Sequence, residues 1–270
     1  GAKILGLGAF TAVVGDAGIT VAKNLKIPVT TGNSYTVATA LEGTKRAAEI
    51  MGKDIKTAEV VVVGATGSIG KVCAEYMARE CKFLTLVGRN VGELENVADK
   101  ILRETGLSAR ITSDIQRALK RADIVITVTS SVDTVINAED LKPGAVVCDV
   151  ARPRDVSREV AEKRKDVLII EGGVVEVPGD IDFNFNFGFP PKTSYACMAE
   201  TMMLALEGRY ESFTLGRDLT INQIEEINKI AKKHGFKLAG FRSFERAITE
   251  EEIQDIKKNA AAALADAASL

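Results

Sequence analysis

Short apolar runs rich in β-branched residues alternate with helical patterns through the middle of the chain. The run at residues 59–63, a glutamate followed by four valines, has the length and composition of a buried strand. Strands are predicted at 59–63, 83–87, 109–112, 123–128, 145–150 and 167–171. Helices are predicted at 68–81, 92–105 and 114–121. This alternation is typical of an α/β fold with a doubly wound parallel sheet.

The two ends of the chain follow a different pattern. One strand and three helices are predicted there, at residues 27–30, 34–51, 193–207 and 220–233. We therefore assign residues 55–175 to the parallel sheet, and residues 1–54 and 176–258 to a second, smaller lobe built from both chain ends, with ligands expected in a cleft between the lobes. Residues 259–270 form an alanine-rich, low-complexity tail. Because the chain opens at Gly1 without a methionine, we expect a fragment or a processed form.

A glycine-rich loop directly follows the valine strand. Gly64, Gly67 and Gly70 recur at every third position and lead into a predicted helix. The first allows a tight turn, the second lets the backbone approach a pyrophosphate, and the third lets the helix pack close to the sheet. The helix start adds N–H donors and a positive dipole. A tight turn that binds nothing needs fewer glycines, so we predict a Rossmann-type dinucleotide site. Its residues are Gly64, Ala65, Thr66, Gly67, Ser68, Ile69 and Gly70.

The end of the next strand indicates which dinucleotide is bound. An NAD site normally carries Asp or Glu about twenty residues past the loop to bind the ribose hydroxyls, and here Arg89 and Asn90 take that place. A guanidinium suits the 2′-phosphate of NADP in charge and planar geometry. We therefore predict NADP, the alternative being that Arg89 is an ordinary surface charge. Thr129 and Ser130, after the strand at 123–128, are expected either to contact the nicotinamide ribose or to serve only as loop residues.

One of the four cysteines stands apart from the others. Cys73, Cys81 and Cys148 lie at predicted core positions. The cysteines form no CxxC pair, and with no signal peptide in view they predict free thiols of a reducing cytoplasm and no metal site. The fourth, Cys197, falls near the start of a predicted helix.

The position of Cys197 favours a reactive thiolate. Thr193 or Ser194 is expected to cap the helix after a Pro-Pro break, which places the thiol in the first turn. There the N–H groups and the dipole favour the anion, and Lys192 adds positive charge nearby. Glu200 lies on the same helical face and can orient the thiol or relay a proton. The alternative is a packed cysteine and a solvated glutamate.

The run at residues 195–202, YACMAETM, resembles the long-chain acyl-acyl-carrier-protein reductases and bacterial relatives described as predicted amino-acid dehydrogenases. The resemblance extends to about residue 245 and is also carried by residues 6–11, 31–34, 64–70, 216–217 and 233–236. It implies a reductase that takes a fatty acyl thioester to the aldehyde with NADPH, through a cysteine that becomes acylated and that falls on Cys197. The family has further sequence before the position of Gly1, and residues 149–154 differ from its cyanobacterial members, so chain length and carrier stay open.

Thioester reduction also requires donors for a developing oxyanion. Backbone N–H groups at the helix start are candidates, as are Asn33 and Ser34, although Asn-Ser before a helix is also a common cap. His234, the only histidine, precedes Gly235 and is predicted to end a helix rather than to act as a base. The predicted catalytic residues are Cys197, Glu200, Asn33 and Ser34.

Composition and charge limit the kinds of partner that the protein is expected to bind. Thirty-five basic and 37 acidic side chains give a net charge of −2, so no global basic field calls for nucleic acid. No apolar run approaches the ~18 residues of a membrane span. The substrate is expected to be a thioester of acyl carrier protein or of CoA, and an oligomer is compatible with the sequence. Because acyl carrier proteins are acidic, a locally basic docking surface is expected. Its candidates are Arg152, Arg154 and Arg158, or Lys163, Arg164 and Lys165.

Two other functions are compatible with the same predicted fold. A shikimate-type or amino-acid-type dehydrogenase would transfer hydride with no covalent step, and it predicts a Lys and Asp pair for which the sequence offers no persuasive candidate. A nucleotide-sensing or scaffold protein would instead bind NADP without turnover.

Overall fold

The computed structural model describes residues 1–12, 15–131, 133–151, 153–185, 190–244 and 246–268. The chain divides into two units. The lobe unit comprises Gly1–Glu42 and Gly172–Gly240, and the sheet unit comprises Gly43–Glu171 and Phe241–Leu270.

Strands and helices alternate along most of the chain. The strands are β1 (Leu5–Gly6), β2 (Val29–Thr30), β3 (Glu59–Val63), β4 (Phe83–Val87), β5 (Arg110–Thr112), β6 (Ile124–Thr127), β7 (Val146–Asp149), β8 (Leu168–Glu171), β9 (Val174–Glu176), β10 (Thr193–Tyr195), β11 (Lys237–Leu238), β12 (Arg242–Ser243) and β13 (Arg246–Ala247). The α-helices are α1 (Ile19–Asn24), α2 (Asn33–Ile50), α3 (Ser68–Met77), α4 (Val91–Thr105), α5 (Ile115–Leu119), α6 (Arg158–Lys163), α7 (Ala196–Leu206), α8 (Ile221–His234) and α9 (Glu250–Ala268).

A six-stranded parallel sheet forms the centre of the sheet unit, in the order β5-β4-β3-β6-β7-β8. Val62 on β3 lies opposite Leu86 on β4 and opposite Ile126 on β6. The chain builds outward from β3 to β5 and then crosses over to β6, so the carboxyl ends of β3 and β6 lie side by side. Dinucleotides bind at this switch point in doubly wound sheets. The predicted fold class is confirmed.

The strands of this sheet other than β5 are mostly apolar and buried, as expected when helices cover both faces of a parallel sheet. Val60, Val62, Leu86, Ile124 and Ile126 are all fully buried. The predicted strands occur where the pattern places them, with ends that differ by one or two residues. The predicted helix at 68–81 is α3 and ends earlier, because turns after Met77 carry the chain into β4.

The last thirty residues belong to the sheet unit, although the sequence analysis assigns residues up to 258 to the lobe. The β12–β13 hairpin is anchored to the end of β8, where the Phe244 N–H donates to Glu171 at 3.1 Å. Helix α9 packs against Gly144, whose missing side chain leaves room for Ala260. Residues 259–268 of the alanine-rich tail are therefore the second half of α9. The described part of the chain contains no helix long and apolar enough to cross a bilayer.

The described residues of the lobe unit form two small sheets. Strands β1 and β2 pair in parallel, and β9 pairs antiparallel with both β10 and β11. The sequence pattern predicts one helix from 193 to 207, but residues 193–195 are β10, because they pair with β9, and α7 begins only at Ala196.

Candidate functional site

The glycine loop of the sheet unit has the geometry that its spacing predicts. Gly64 adopts a φ of +81°, and a Cβ there would lie 2.7 Å from the Val128 carbonyl oxygen. A Cβ on Gly70 would lie 2.1 Å from the Gly64 oxygen, so α3 approaches the loop more closely than any other residue permits. A Cβ on Gly67 would meet only the Gly64 oxygen, at 3.4 Å, and Gly67 is exposed. The turn, the close helix packing and the open approach therefore fall on the three predicted positions.

The start of α3 offers unmet hydrogen-bonding groups. Gly67 is the N-cap and supplies no side-chain cap. The Ser68 hydroxyl is buried and has no hydrogen-bond partner among the residues that the structure describes. Uncapped N–H groups, a helix dipole and a spare hydroxyl are the chemistry that binds a phosphate group. Of the other predicted loop residues, Ala65 is fully buried and Ile69 half-buried, and the Thr66 side chain packs beside Gly88.

The two residues after β4 have different roles. Arg89 is exposed and forms no ion pair with the part of the chain that the structure describes. Asn90 caps α4, and its side-chain oxygen accepts from the Glu93 N–H at 3.2 Å. The Arg89 guanidinium is thus available to an anionic ligand, whereas the Asn90 oxygen already serves the helix.

The loop after β6 is held by a residue that the sequence analysis misses. The Thr129 hydroxyl donates to Asp155 at 2.5 Å, and its N–H donates to the same carboxylate at 2.9 Å. The Ser131 N–H in turn donates to the Thr129 hydroxyl at 3.1 Å. Thr129 thus helps to hold this loop, and its expected contact with the nicotinamide ribose stays a prediction. Ser130 is exposed.

In the lobe unit, Cys197 is the second residue of α7, as predicted, and is partly exposed. The predicted cap is wrong, because Thr193 and Ser194 lie in β10 and the N-cap is Tyr195, whose side chain makes no capping hydrogen bond. The first turn of α7 therefore receives no side-chain cap, although the Ala196 N–H donates to the Gly173 carbonyl at 2.7 Å, and the helix dipole acts on the segment that carries the thiol.

Glycines from two other segments lie against this turn of α7. A Cβ on Gly32, whose φ is +74°, would lie 2.3 Å from the Cys197 Cα. A Cβ on Gly8 would lie 3.9 Å from the Cys197 sulfur, and one on Gly6 would lie 2.1 Å from the Thr201 hydroxyl. Gly6 and Gly32 approach α7 this closely only because they carry no side chains, whereas a Cβ on Gly8 would make an ordinary van der Waals contact with the sulfur.

Glu200 is neither solvated nor exposed, since its side chain is completely buried. Its carboxylate accepts hydrogen bonds from the hydroxyls of Thr30 and Thr214, both at 2.6 Å, from Ser34 at 2.5 Å, and from the Tyr35 N–H at 3.1 Å. A buried carboxylate is stable only with such partners. Glu200 thus connects β2, the start of α2 and the segment at 214 to α7, three residues from the thiol.

These contacts change the roles expected for several predicted residues. The Ser34 proton is committed to Glu200, so this hydroxyl does not donate to an oxyanion in this arrangement. Asn33 is the first residue of α2 and is buried. Lys192 pairs with Asp180 at 2.9 Å, which neutralises the charge expected near the thiol. His234 ends α8 before Gly235, as predicted, and lies 2.5 Å from Glu207.

The remaining cysteines are buried, as predicted. Burial raises the pKa of the Cys81 thiol to about 11. Burial likewise raises the pKa of Cys73, with a smaller contribution from Cys148 nearby. The Cys73 and Cys81 thiols are therefore protonated near neutral pH.

The predicted basic surface is largely neutralised within the sheet unit. Arg154 pairs with Glu171, Lys163 with Glu159 at 2.5 Å, and Arg164 with Asp166 at 2.7 Å. Arg154 and Arg158 both lie over the Phe244 ring, at 5.3 and 5.4 Å. Arg152 lies outside the described residues. Three of the basic residues expected to form a docking surface are thus paired with carboxylates.

Residues 45–171 match the protein family described as shikimate / quinate 5-dehydrogenase. The match covers the whole parallel sheet and the glycine loop. Residues 45–171 have a Rossmann-like nucleotide-binding fold. This domain has the sheet order and the loop of NAD(P)-dependent oxidoreductases, and the match does not include the segment that carries Cys197.

Curated relatives extend the similarity beyond this domain. Aminotransferase PigE from Serratia sp. is 32% identical over 262 residues, which are 96% of this chain and 30% of PigE. The long-chain acyl-[acyl-carrier-protein] reductase from Synechococcus elongatus is 32% identical over 215 residues, 77% of this chain and 61% of that protein. A glutamyl-tRNA reductase from Roseiflexus sp. is 28% identical over 142 residues, 50% of this chain and 31% of that protein. The chain therefore spans less than two thirds of each of these relatives.

Proposed function

We propose that the protein is an NADPH-dependent reductase that converts a fatty acyl thioester of acyl carrier protein or CoA to the aldehyde, through an acyl group on Cys197. The observation that carries the proposal is a partly exposed cysteine in the first turn of α7, which has no side-chain cap and has glycines packed around it. Two relatives are named as reductases, one of an acyl-carrier-protein substrate and one of glutamyl-tRNA. Both names describe an acyl group activated by attachment to a carrier.

Cys197 acts as the nucleophile in this proposal. Its thiolate attacks the thioester carbonyl carbon, a bond from that carbon to Cys197 sulfur forms, and the bond to the carrier sulfur breaks. The carrier leaves as a thiol after taking up a proton. One thioester replaces another, so the step has little thermodynamic cost. The α7 N–H groups and dipole stabilise the thiolate and the oxyanion that develops during attack.

Glu200 is a positioning residue rather than a proton relay. Both of its oxygens are engaged by hydroxyl or N–H donors. It holds α7 against β2 and α2, and thereby fixes the direction of the first turn. Asn33, at the start of α2 next to Gly32, remains a candidate donor to the oxyanion.

The sheet unit contains the residues that would hold NADPH. Residues 64–70 would bind the pyrophosphate at the start of α3, and Arg89 would bind the 2′-phosphate. When bound, NADPH would supply the hydride that conversion of an acyl group to an aldehyde requires. Cys197 sulfur then departs as a thiolate while the aldehyde carbonyl forms, which restores the free enzyme.

A second candidate is a dehydrogenase of a small keto or imino acid with no covalent step. The match of residues 45–171 to the shikimate / quinate family favours it. It requires no reactive cysteine, so the two candidates differ in what happens at Cys197.

Intact mass spectrometry separates the two candidates. The protein is incubated with acyl-CoA or acyl-carrier-protein, with and without NADPH. The reductase predicts a covalent acyl adduct that disappears when NADPH is added and aldehyde is released. Cys197→Ala is expected to abolish the adduct, whereas the control Cys81→Ala, at a buried thiol, is expected to retain it. Unmodified protein that reduces a keto acid would support the dehydrogenase. Unmodified protein that binds NADPH without turnover would support a nucleotide-sensing role.

A further inference from the structure

Asp155 is a buried carboxylate at the carboxyl edge of the parallel sheet. Its side chain is fully buried, in the segment between β7 and α6. Removing a carboxylate from water is costly unless hydrogen bonds replace the lost hydration. The donors that satisfy Asp155 therefore show what this residue holds in place.

Among the residues that the structure describes, the donors to the Asp155 carboxylate come from the end of β6 and the loop that follows it. The hydroxyl of Thr127, the last residue of β6, donates to one carboxylate oxygen. The same oxygen accepts from the Thr129 N–H at 2.9 Å, and the other accepts from the Thr129 hydroxyl at 2.5 Å. The Asp155 carbonyl also accepts from the Val135 and Ile136 N–H groups, at 3.0 and 3.2 Å. Both ends of the 128–135 loop are thus fixed to one residue.

The same loop supports the glycine loop. A Cβ on Gly64 would lie 2.7 Å from the Val128 oxygen and 3.2 Å from the Thr129 nitrogen. The Val128 N–H also donates to the Val63 carbonyl at 3.0 Å, directly before the glycine loop. If residues 128–129 shifted, they would therefore enter the space that the first turn of the glycine loop occupies.

We propose that Asp155 is a positioning residue of the nucleotide site, which sets the shape of residues 128–131 and, through Val128 and Thr129, of the glycine loop. The inference rests on the proposed function, because it takes NADPH as the ligand of that loop. It assigns Asp155 no contact with the nucleotide.

The test uses Asp155→Asn, which keeps the shape of the side chain but replaces one acceptor oxygen by an amide group. One of the Thr129 or Thr127 donors then loses its acceptor. Asp123→Asn is the matched control. Asp123 directly precedes β6 and accepts hydrogen bonds at the amino end of this strand, whereas Asp155 accepts them at its carboxyl end. Asp123 accepts from Lys142 at 2.7 Å and from the Glu59 N–H at 3.0 Å. Thr129→Val serves as a second variant if Asp155→Asn does not fold.

Three quantities are measured on each protein: the NADPH dissociation constant from nucleotide fluorescence, hydrogen–deuterium exchange of residues 64–67 and 128–131 without nucleotide, and Tm. Asp155→Asn is expected to raise the dissociation constant about tenfold, the usual effect of losing one charge-assisted hydrogen bond. It is also expected to accelerate exchange in both segments. Asp123→Asn is expected to lower Tm comparably while changing the dissociation constant less than about twofold.

The outcomes separate the inference from the proposed function. If wild-type protein does not bind NADPH, the proposed function fails, and exchange in residues 64–67 of Asp155→Asn still decides whether Asp155 shapes the glycine loop. If wild-type protein binds NADPH and Asp155→Asn binds it equally well, the inference is wrong. Equal weakening by Asp123→Asn would also overturn it, because general destabilisation would then explain the effect.

Discussion

The glycine loop of the sheet unit and the surroundings of Cys197 in the lobe unit use glycine in two different ways. Both lie at the start of a helix that has no side-chain cap, α3 in one case and α7 in the other. Around α3 the three glycines stand within one stretch of seven residues. Around α7 they come from residues 6–8 and 32, far from Cys197 in sequence. The first arrangement is local, and the second exists only after the lobe unit has folded.

This difference decides how each site can fail. A substitution within the glycine loop acts on residues that are adjacent in the chain. The environment of Cys197 depends instead on segments that meet through packing, and Glu200 holds several of them together through buried hydrogen bonds. Substitutions remote from the thiol are therefore expected to impair it.

The largest expected effect is a contrast between thiols. Cys81 has a pKa raised to about 11 by burial, so at pH 7 only about one in 10⁴ of its molecules carries a thiolate. Cys197 lies in the uncapped start of a helix and is partly exposed. Iodoacetamide at pH 7 is expected to modify Cys197 at least 100-fold faster than Cys81, as measured by peptide mass spectrometry.

The pH dependence sharpens this prediction. The Cys81 reaction is expected to accelerate about tenfold per pH unit up to pH 11, because the thiolate fraction rises with pH below the pKa. The folded protein binds the proton more tightly than the unfolded chain, so this burial contributes stability at neutral pH that is lost as pH rises above about 9. Equal modification of both thiols at pH 7 would contradict the special environment of Cys197.

Gly32→Ala is expected to have the next largest effect. The new methyl group would lie 2.3 Å from the Cys197 Cα, at a φ of +74° that alanine rarely adopts. The free energy of unfolding is expected to fall by about 3–5 kcal/mol, and acylation of Cys197 to be lost. Urea unfolding and the intact-mass assay measure the two effects.

Gly208→Ala is the control for Gly32→Ala. Gly208 also has a positive φ, of +68°, but a Cβ there meets nothing within 4 Å in the described structure. Its cost is expected to be about 1 kcal/mol, from backbone strain alone. If the free energy of unfolding falls equally in both variants, the close packing of Gly32 against Cys197 contributes nothing to stability.

Glu200→Gln is expected to cost about 2–3 kcal/mol, because a buried network of four donors loses an acceptor oxygen. As a positioning residue, Glu200 should affect the acylation rate of the folded protein by about tenfold at most, with an unchanged pH profile. Glu95→Gln on the exposed face of α4 should change neither quantity. A loss of acylation rate above 100-fold, with an altered pH profile, would instead support a role of Glu200 as a proton relay.

The sequence predicts the sheet and the glycine loop well because their signals are local. Runs of valine and isoleucine mark the strands, and the regular glycines mark the turn, the open approach and the close helix contact. The thiol site is harder to predict. Strand β10 is three residues long and forms only by pairing with β9, so a helical pattern that begins at 193 conceals it. The donors to Glu200 come from residues 30, 34, 35 and 214, a set that no spacing in the sequence indicates.

Asp155 shows the same limit within the sheet unit. Thr129 is visible in the sequence as a polar residue after a strand, but its partner is 26 residues away. An aspartate in a loop is ordinarily interpreted as a solvated turn residue. Only the fold shows that this one is buried and that the loop after β6 depends on it.

The smallest expected effect is on the choice between cofactors. Arg89→Ala removes an exposed guanidinium that has no ion-pair partner in the described chain, so the fold should be unaffected. If Arg89 binds the 2′-phosphate, the KM for NADPH rises about tenfold, the usual size of a lost charge-assisted contact, while the KM for NADH stays constant. Steady-state rates with both nucleotides measure this split. Arg103→Ala, an exposed arginine at the other end of α4, should change neither constant. Because NADH lacks only the phosphate, a parallel rise in both constants would place Arg89 outside the 2′-phosphate site and leave the preference for NADP without a residue to explain it.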